Sequence, residues 1–331
     1  MIVDIHAHIA VAEILRDAAP DEGWRPRVFW KDGQQIIDIG GRAVTSAVRE
    51  FVHIDGILRA QDADGIDRVV LSPWASLLRY DAGDDDGLRI CRTYTEALSR
   101  IATAHPDRVR ALGMVPLQNP ELAARELETV MRLPGLLGVE IAASVRGTYV
   151  GDDRFRPFWA AAESTGAVVF IHPTTRGFDH PVFGEYYLTN SVGNPMETTI
   201  AAAHMIMAGI MASHPRLRVV LAHAGGAIVA LRGRLEHARR VVASAGRRLH
   251  EPVDASLRRF YFDTVTHDVD LLRDLIAFAG ADHVLLGSDY PFDMGLERPA
   301  DPVRVLRLPA EDEALVLGGN AMRLEAAIAR R

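Results

Sequence analysis

One cysteine, Cys91, occurs in 331 residues. No disulfide can form within such a chain, and a reducing, cytoplasmic setting is expected. Flanked by Arg89 and Arg92, this thiol reads as a packing group rather than a nucleophile. No apolar run reaches the roughly 20 residues that a membrane-spanning helix needs, so a helical span is excluded. Lys and Arg are nowhere concentrated into a patch and the formal net charge is -7, which argues against nucleic acid as a partner. Low-complexity linkers and sequence repeats are also missing. A candidate ligand pair lies within eight residues of Met1, where a cleaved presequence would remove it, so the mature protein is expected to begin here. What is present is a soluble globular composition, 48% hydrophobic and 24% charged, in a chain long enough for one elaborated domain.

The chain is organised around its first residues, Met1-Ile2-Val3-Asp4-Ile5-His6-Ala7-His8-Ile9. The β-branched run predicts a strand, and strand alternation puts His6 and His8 on one face, where two imidazoles can chelate one divalent cation. Two solvated histidines at a frayed terminus would satisfy the same pattern, so the later strands decide the matter.

After His8 an irregular segment, rich in Gly, Trp and charge, runs to about Asp55. Connections of that length are uncommon unless functional, and residues 10–55 are expected to form a lid or insertion over the end of the first strand. Arg42 and Arg49 are its candidates for holding an anionic substrate. From Asp55 onward helical stretches alternate with short apolar runs. The runs are Arg68 to Ser72, Val109 to Val115, Gly138 to Ile141, Ala167 to His172, Arg218 to His223, Phe260 to Asp263 and His283 to Asp289. Helices are expected at Cys91 to Ala104, Leu122 to Leu133, Phe155 to Thr165 and Glu197 to Ala212, with Asn320 capping a terminal helix that runs to Ala329. Continuous apolar strands separated by helices indicate a parallel sheet covered on both faces. Eight of them predict a (β/α)₈ TIM barrel in a single domain, residues 1–331, with a long insertion after the first strand.

In such a barrel the chemistry sits at the C-terminal ends of the strands. His6 and His8 end the first strand, His172 the fifth, His223 the sixth and Asp289 the eighth. Each alone has an ordinary explanation: His172 precedes Pro173, and Asp289 could be a helix cap. Together they place four imidazoles and one carboxylate at a single mouth, enough for Zn²⁺ or a similar ion with a position left for water and a fifth group to act as base. His267, beyond the seventh strand, could also reach that mouth.

These residues resemble the amidohydrolase superfamily, in its branch of aminocarboxymuconate-semialdehyde decarboxylase and related aromatic-acid decarboxylases. The resemblance rests on the His-x-His start, Ile171-His172-Pro173, Val192 to Thr199, Leu221 to Ala227, Gly287 to Phe292 and Gly319-Asn320-Ala321, and it covers nearly the whole chain. It implies a metal, Zn²⁺ or another divalent ion such as Mn²⁺, held by His6, His8, His172 and Asp289, with His223 and Asp289 acting in catalysis. Glu140 on the fourth strand, where other branches carry a bridging carboxylated lysine, agrees with a single metal. The resemblance further implies that Arg234 reaches into a neighbouring subunit of a homodimer to hold a substrate carboxylate, with Phe292, Arg42 and Arg49 as further substrate contacts. The register of the expected clamping arginine after the first strand falls on Ala47, and Asn190 stands where the branch carries tryptophan. The activity implied is non-oxidative decarboxylation of an unsaturated or aromatic carboxylic acid. The alternatives are hydrolysis of a lactone, amide or ester at the same site, or a metal-binding protein without turnover.

Overall fold

A computed structural model describes residues 1–15, 22–31, 34–39, 42–45, 52–174 and 181–330. Eight parallel strands follow one another in space in the order of the chain: β1 (Val3–Ile9), β2 (Arg68–Pro73), β3 (Val109–Gly113), β4 (Leu136–Ala142), β5 (Val168–His172), β6 (Arg218–Leu221), β7 (Tyr261–Asp263) and β8 (Val284–Leu285). β8 returns to β1 and closes the cylinder. Ile5 donates its N–H to the Leu286 carbonyl at 2.9 Å, Asp289 donates to His6 at 2.7 Å, and His8 donates to Tyr290 at 2.8 Å. All eight expected strands are present, and the expected TIM barrel is the fold.

The helices between the strands form the outer layer: α1 (Ile54–Ala63), α2 (Asp84–Ala104), α3 (Pro120–Val130), α4 (Arg156–Thr165), α5 (Asn194–Met207), α6 (Ile228–Val241), α7 (Val269–Ala279) and, after β8, α8 (Asn320–Ala329). α2 begins at Asp84, earlier than its apolar periodicity indicates, because Asp84, Asp85 and Asp86 occupy its first turn and complement the positive end of the helix dipole. The helix expected over Glu197 to Ala212 is broken. It stops at Met207, Gly209 takes a left-handed φ of 72°, and a separate turn covers Ile210–Ser213.

Between β1 and α1 the insertion is more regular than its composition indicates. Arg27–Lys31, Gln34–Ile39 and Arg42–Thr45 pair as a three-stranded antiparallel sheet. Ile37 and Ile39 bury themselves in the main core, while Trp30 is 64% exposed.

Two cores separate the inside of the barrel from its outside. The larger lies between strands and helices and takes in Ala7, Ile9, Val69, Leu71, Val139, Ile141, Val219 and Leu221. The smaller fills the cylinder: Val3, Ile5, Val70, Leu112, Phe170, Val220 and Leu285, with Ala321 and Leu324 of α8. The β1–β2 register shifts between Asp4 and Ala7, and this bulge lets the sequence neighbours Ile5 and His6 both face inward. The His6 ring lies 4.8 Å from that of Phe170, so the imidazoles rest directly on the inner core.

α8 closes the opposite end of the cylinder. Its Glu325 takes Arg68, at the start of β2, at 2.8 Å and Arg110 of β3 at 2.6 Å. Asn320 does not cap this helix as expected. Its amide donates to the Ala281 and Val284 carbonyls at 2.7 and 2.8 Å, tying the helix to β8; those buried carbonyls need a donor, and that requirement takes precedence over capping. Leu324→Ala, at a site 4% exposed, is expected to cost about 2–5 kcal/mol of stability in urea denaturation while leaving metal stoichiometry unchanged, since it lies at the far end of the barrel from the strand-end histidines.

Candidate metal centre

Five strand-end side chains meet above the inner core. His6 and His8 stand two residues apart on β1, His172 ends β5, His223 follows β6 and Asp289 follows β8. One ligand atom from each of His6, His172, His223 and Asp289 lies within 4.8 Å of the others. His8 joins through its Nε2, 3.1 Å from His6 Nε2 and 3.5 Å from Asp289 Oδ1. His6 Nε2 is 3.2 Å from the same oxygen.

Orientation comes from groups outside the cluster. His6 donates its Nδ1–H to Asp263 Oδ2 at 2.7 Å, His8 to the Pro73 carbonyl at 2.8 Å, and His172 to its neighbour Pro173 at 2.7 Å. Each outward bond fixes the tautomer so that the three Nε2 atoms point inward. His172 Nε2 and Asp289 Oδ1 are buried without a hydrogen-bond partner. Buried orphan acceptors are costly, and imidazole lone pairs 3.1 Å apart repel unless something positive stands between them. A divalent cation meets that need, and three neutral imidazoles with a carboxylate are a donor set that suits it.

Charge state agrees. Burial pushes His8 and His172 below the usual histidine range, so both are neutral. For His6 burial acts in the same direction, yet Asp289 and Asp263 overcome it and raise the imidazole to about 10. Burial also opposes ionisation of Asp289, but His6, His223 and His8 hold it well below the carboxylate range. The metal-free cluster therefore holds a proton where a cation would stand. Glu140 on β4 is fully buried, and burial pushes its carboxyl far above the ordinary range. Its Oε2 lies 3.7 Å from His8 Nδ1. The chain's one lysine, Lys31, is exposed on the insertion sheet, so the barrel has no lysine to carboxylate.

Strand 8 is placed by a clasp that composition did not reveal. Asp4 accepts N–H bonds from His6 and Ser288 at 3.0 Å each and the Ser288 hydroxyl at 2.5 Å. This holds Asp289, whose φ of 61° is left-handed, against β1. Buried Glu197, inside the Val192 to Thr199 motif, accepts from Thr174 N at 2.9 Å and Ser144 Oγ at 3.1 Å and so braces the segment leaving His172. Asp263, Asp4 and Glu197 were all missed as positioning groups; for Asp4 and Asp263 the signal was a lone acid in an apolar strand, while Glu197 sits in the first turn of α5.

His223 and Asp289 line the floor of a cavity of about 950 Å³. Asn190, Asn194, Thr266 and His267 line it, as do Arg232 and Arg258. Asn190, noted in the sequence as an exchange, is thus a wall residue, and His267 does reach the mouth. Arg234 is exposed on α6 and does not line its own chain's cavity; the cations that do, Arg232 and Arg258, were not singled out. Phe292 lays its ring 5.2 Å from His8. Arg42 begins a strand of the insertion, while Arg49 and Ala47 lie outside the described residues.

The sequence profile of the amidohydrolase family matches residues 3–324. Over 78% of the chain and 72% of the relative, the sequence is 31% identical to 2-amino-3-carboxymuconate-6-semialdehyde decarboxylase of Dictyostelium discoideum. Over 97% of both chains it is 27% identical to gamma-resorcylate decarboxylase of Rhizobium radiobacter. Among solved structures, 5-carboxyvanillate decarboxylase of Sphingomonas paucimobilis superposes with a TM-score of 0.81 at 25% identity, covering 98% of each chain.

Metal removal and reconstitution are expected to give one divalent ion per chain, and Asp289→Asn, which deletes the cluster's carboxylate, to leave it substoichiometric by elemental analysis. Because His6 is protonated below about 10 in the metal-free state, binding must expel that proton. Affinity should rise by up to roughly tenfold per pH unit between about pH 6 and 8, and calorimetry in buffers of different ionisation enthalpy should count about one proton released.

Proposed function

The chain belongs to the amidohydrolase family, and on that premise we propose that it is a metal-dependent, non-oxidative decarboxylase of an unsaturated or aromatic carboxylic acid. The observation that carries this is the open cluster itself: inward-facing imidazole nitrogens and a carboxylate at the floor of a cavity, in a chain whose relatives above are named for releasing CO₂. We assign His6, His8, His172 and Asp289 as ligands of Zn²⁺ or Mn²⁺. The imidazole-rich set favours the former.

A bound divalent cation supplies a fixed positive charge that draws electron density from the substrate's oxygens. The chain's own residues do the rest. His223 Nε2 stands 3.4 Å from Asp289 Oδ2, close enough for the two to hold one proton between them. The C–C bond to the carboxylate breaks, its electron pair stays on the substrate carbon, CO₂ leaves, and that carbon takes the proton from His223. No electron is gained or lost, so no redox cofactor is required. The Phe292 ring, beside His8, offers a flat apolar wall to an unsaturated or aromatic substrate.

Carboxylate recognition falls to arginine, whose fork matches the anion. We assign this to Arg234 acting across a homodimer. Its exposure on α6, outside its own cavity, is what a residue serving a partner subunit requires. Arg42, and Arg49 in the insertion that we propose as a lid, are further substrate contacts. Among the described residues no helix is long and apolar enough to cross a membrane; we place the protein in the cytoplasm on the strength of its lone, buried thiol, Cys91.

With a panel of hydroxybenzoates and carboxymuconates, CO₂ release should be found for at least one acid and should cease on chelation and return with added metal. Hydrolysis of lactones, amides or esters without CO₂ would favour the hydrolase instead. His223→Asn should lower kcat by about 10²–10⁴-fold with metal content unchanged. Arg234→Ala should raise KM for the acid, and mixing it with an inactive Asp289→Asn chain should restore part of the activity if the arginine serves its neighbour.

A further inference from the structure

Asp263 ends β7, is 0% exposed, and has all four of its acceptor positions filled. Its Oδ2 accepts His6 Nδ1–H at 2.7 Å and the His223 N–H at 2.9 Å; its Oδ1 accepts the Ala224 N–H at 2.7 Å and the Val265 N–H at 3.0 Å. These bonds reach two separate parts of the site, a metal ligand on β1 and the start of the turn after β6.

That turn is unusual. His223, Ala224, Gly225 and Gly226 all have positive φ, at 53°, 54°, 73° and 63°. For histidine and alanine the left-handed region is disfavoured by their Cβ atoms, so the conformation persists only where the surroundings impose it. Gly226 is required, since a Cβ there would collide with the Pro195 carbonyl. For the two residues with side chains, the imposing group is the Asp263 carboxylate, which gathers both of their N–H groups.

We infer that Asp263 is a positioning residue that couples metal grip to proton transfer: one carboxylate sets the His6 tautomer and also holds the left-handed turn that aims His223 at Asp289. The inference rests on the metal-site half of the function proposed above and not on the substrate. The coupling is sharp because an amide cannot replace the carboxylate. Whichever way the side chain of an Asp263→Asn variant turned, its NH₂ would face two N–H donors, either those of His6 and His223 or those of Ala224 and Val265.

The test uses metal-free full-length protein and Mn²⁺. Asp263→Asn should bind Mn²⁺ about 10–100-fold more weakly than wild type and should lose the imidazole Nδ1–H resonance of His6 in NMR. Amide exchange should speed up at His223 and Ala224 by at least roughly tenfold while β7 itself stays protected, a pattern that general loosening of the strand would not give. If Asp263→Asn does not fold, Asp263→Glu keeps the charge but displaces it by a methylene, and the same weakening and local exchange are expected of it. Unchanged Mn²⁺ affinity, or unchanged exchange at His223 and Ala224, in whichever variant folds overturns the inference. None of these readouts needs a substrate, so failure to find CO₂ release would leave them standing, and their failure would leave the decarboxylase reading untouched.

Discussion

The repulsion between imidazole lone pairs that the fold forces together governs the site. His6 and His8 present Nε2 atoms 3.1 Å apart, buried where water cannot screen them. Their other nitrogens are spent on Asp263 and the Pro73 carbonyl, so neither ring can turn away. The arrangement is tolerable only with positive charge at its centre, as the proton drawn onto His6 or as a cation. The outward acceptors, the Asp4 clasp on Ser288 and the apolar inner floor built on Phe170 all serve to keep that unfavourable geometry fixed, which is the usual way a rigid scaffold holds ligands ready.

Much of this was legible in the residues. The eight apolar runs marked the strands because a strand buried on both faces must be apolar throughout, and strand-end position alone gathered His6, His8, His172, His223 and Asp289. Less legible were features set by long-range contacts. Asn320 looked like a helix cap because capping is a local habit of asparagine, but the carbonyls of Ala281 and Val284 claimed its amide. The α5 break at Gly209 was hidden because an apolar helix and an apolar turn share composition. The insertion sheet was obscured because Gly, Trp and charge mask the alternation that a half-exposed strand would show.

The positioning acids were the largest omission. Asp4 and Asp263 mark no motif of their own, Glu197 passes unmarked inside the Val192 to Thr199 motif, and each reads as a solvated carboxylate until its burial is known. Donors around a buried acid favour its anion, as at Asp263, where burial is overcome by His6, His223 and the backbone N–H groups, which hold the carboxyl low. Burial still raises Asp4 to about 6. A single acid in an apolar strand is a mark of a structured polar network. By contrast burial pushes Glu140, equally buried, toward its neutral form, so burial alone does not set an acid's role. Arg232 and Arg258 escaped notice for the opposite reason: a sequence with so many arginines gives none of them prominence until a cavity selects two.

The closure of β8 on β1 has a further consequence for folding. His6 and His8 stand on β1 while Asp289 follows β8, so the two come together only when the cylinder closes. At the other end of the cylinder α8 is tied to β2 and β3 through Glu325. A polypeptide whose barrel has not closed holds these histidines apart from the carboxylate, so the donor set exists only in the folded state.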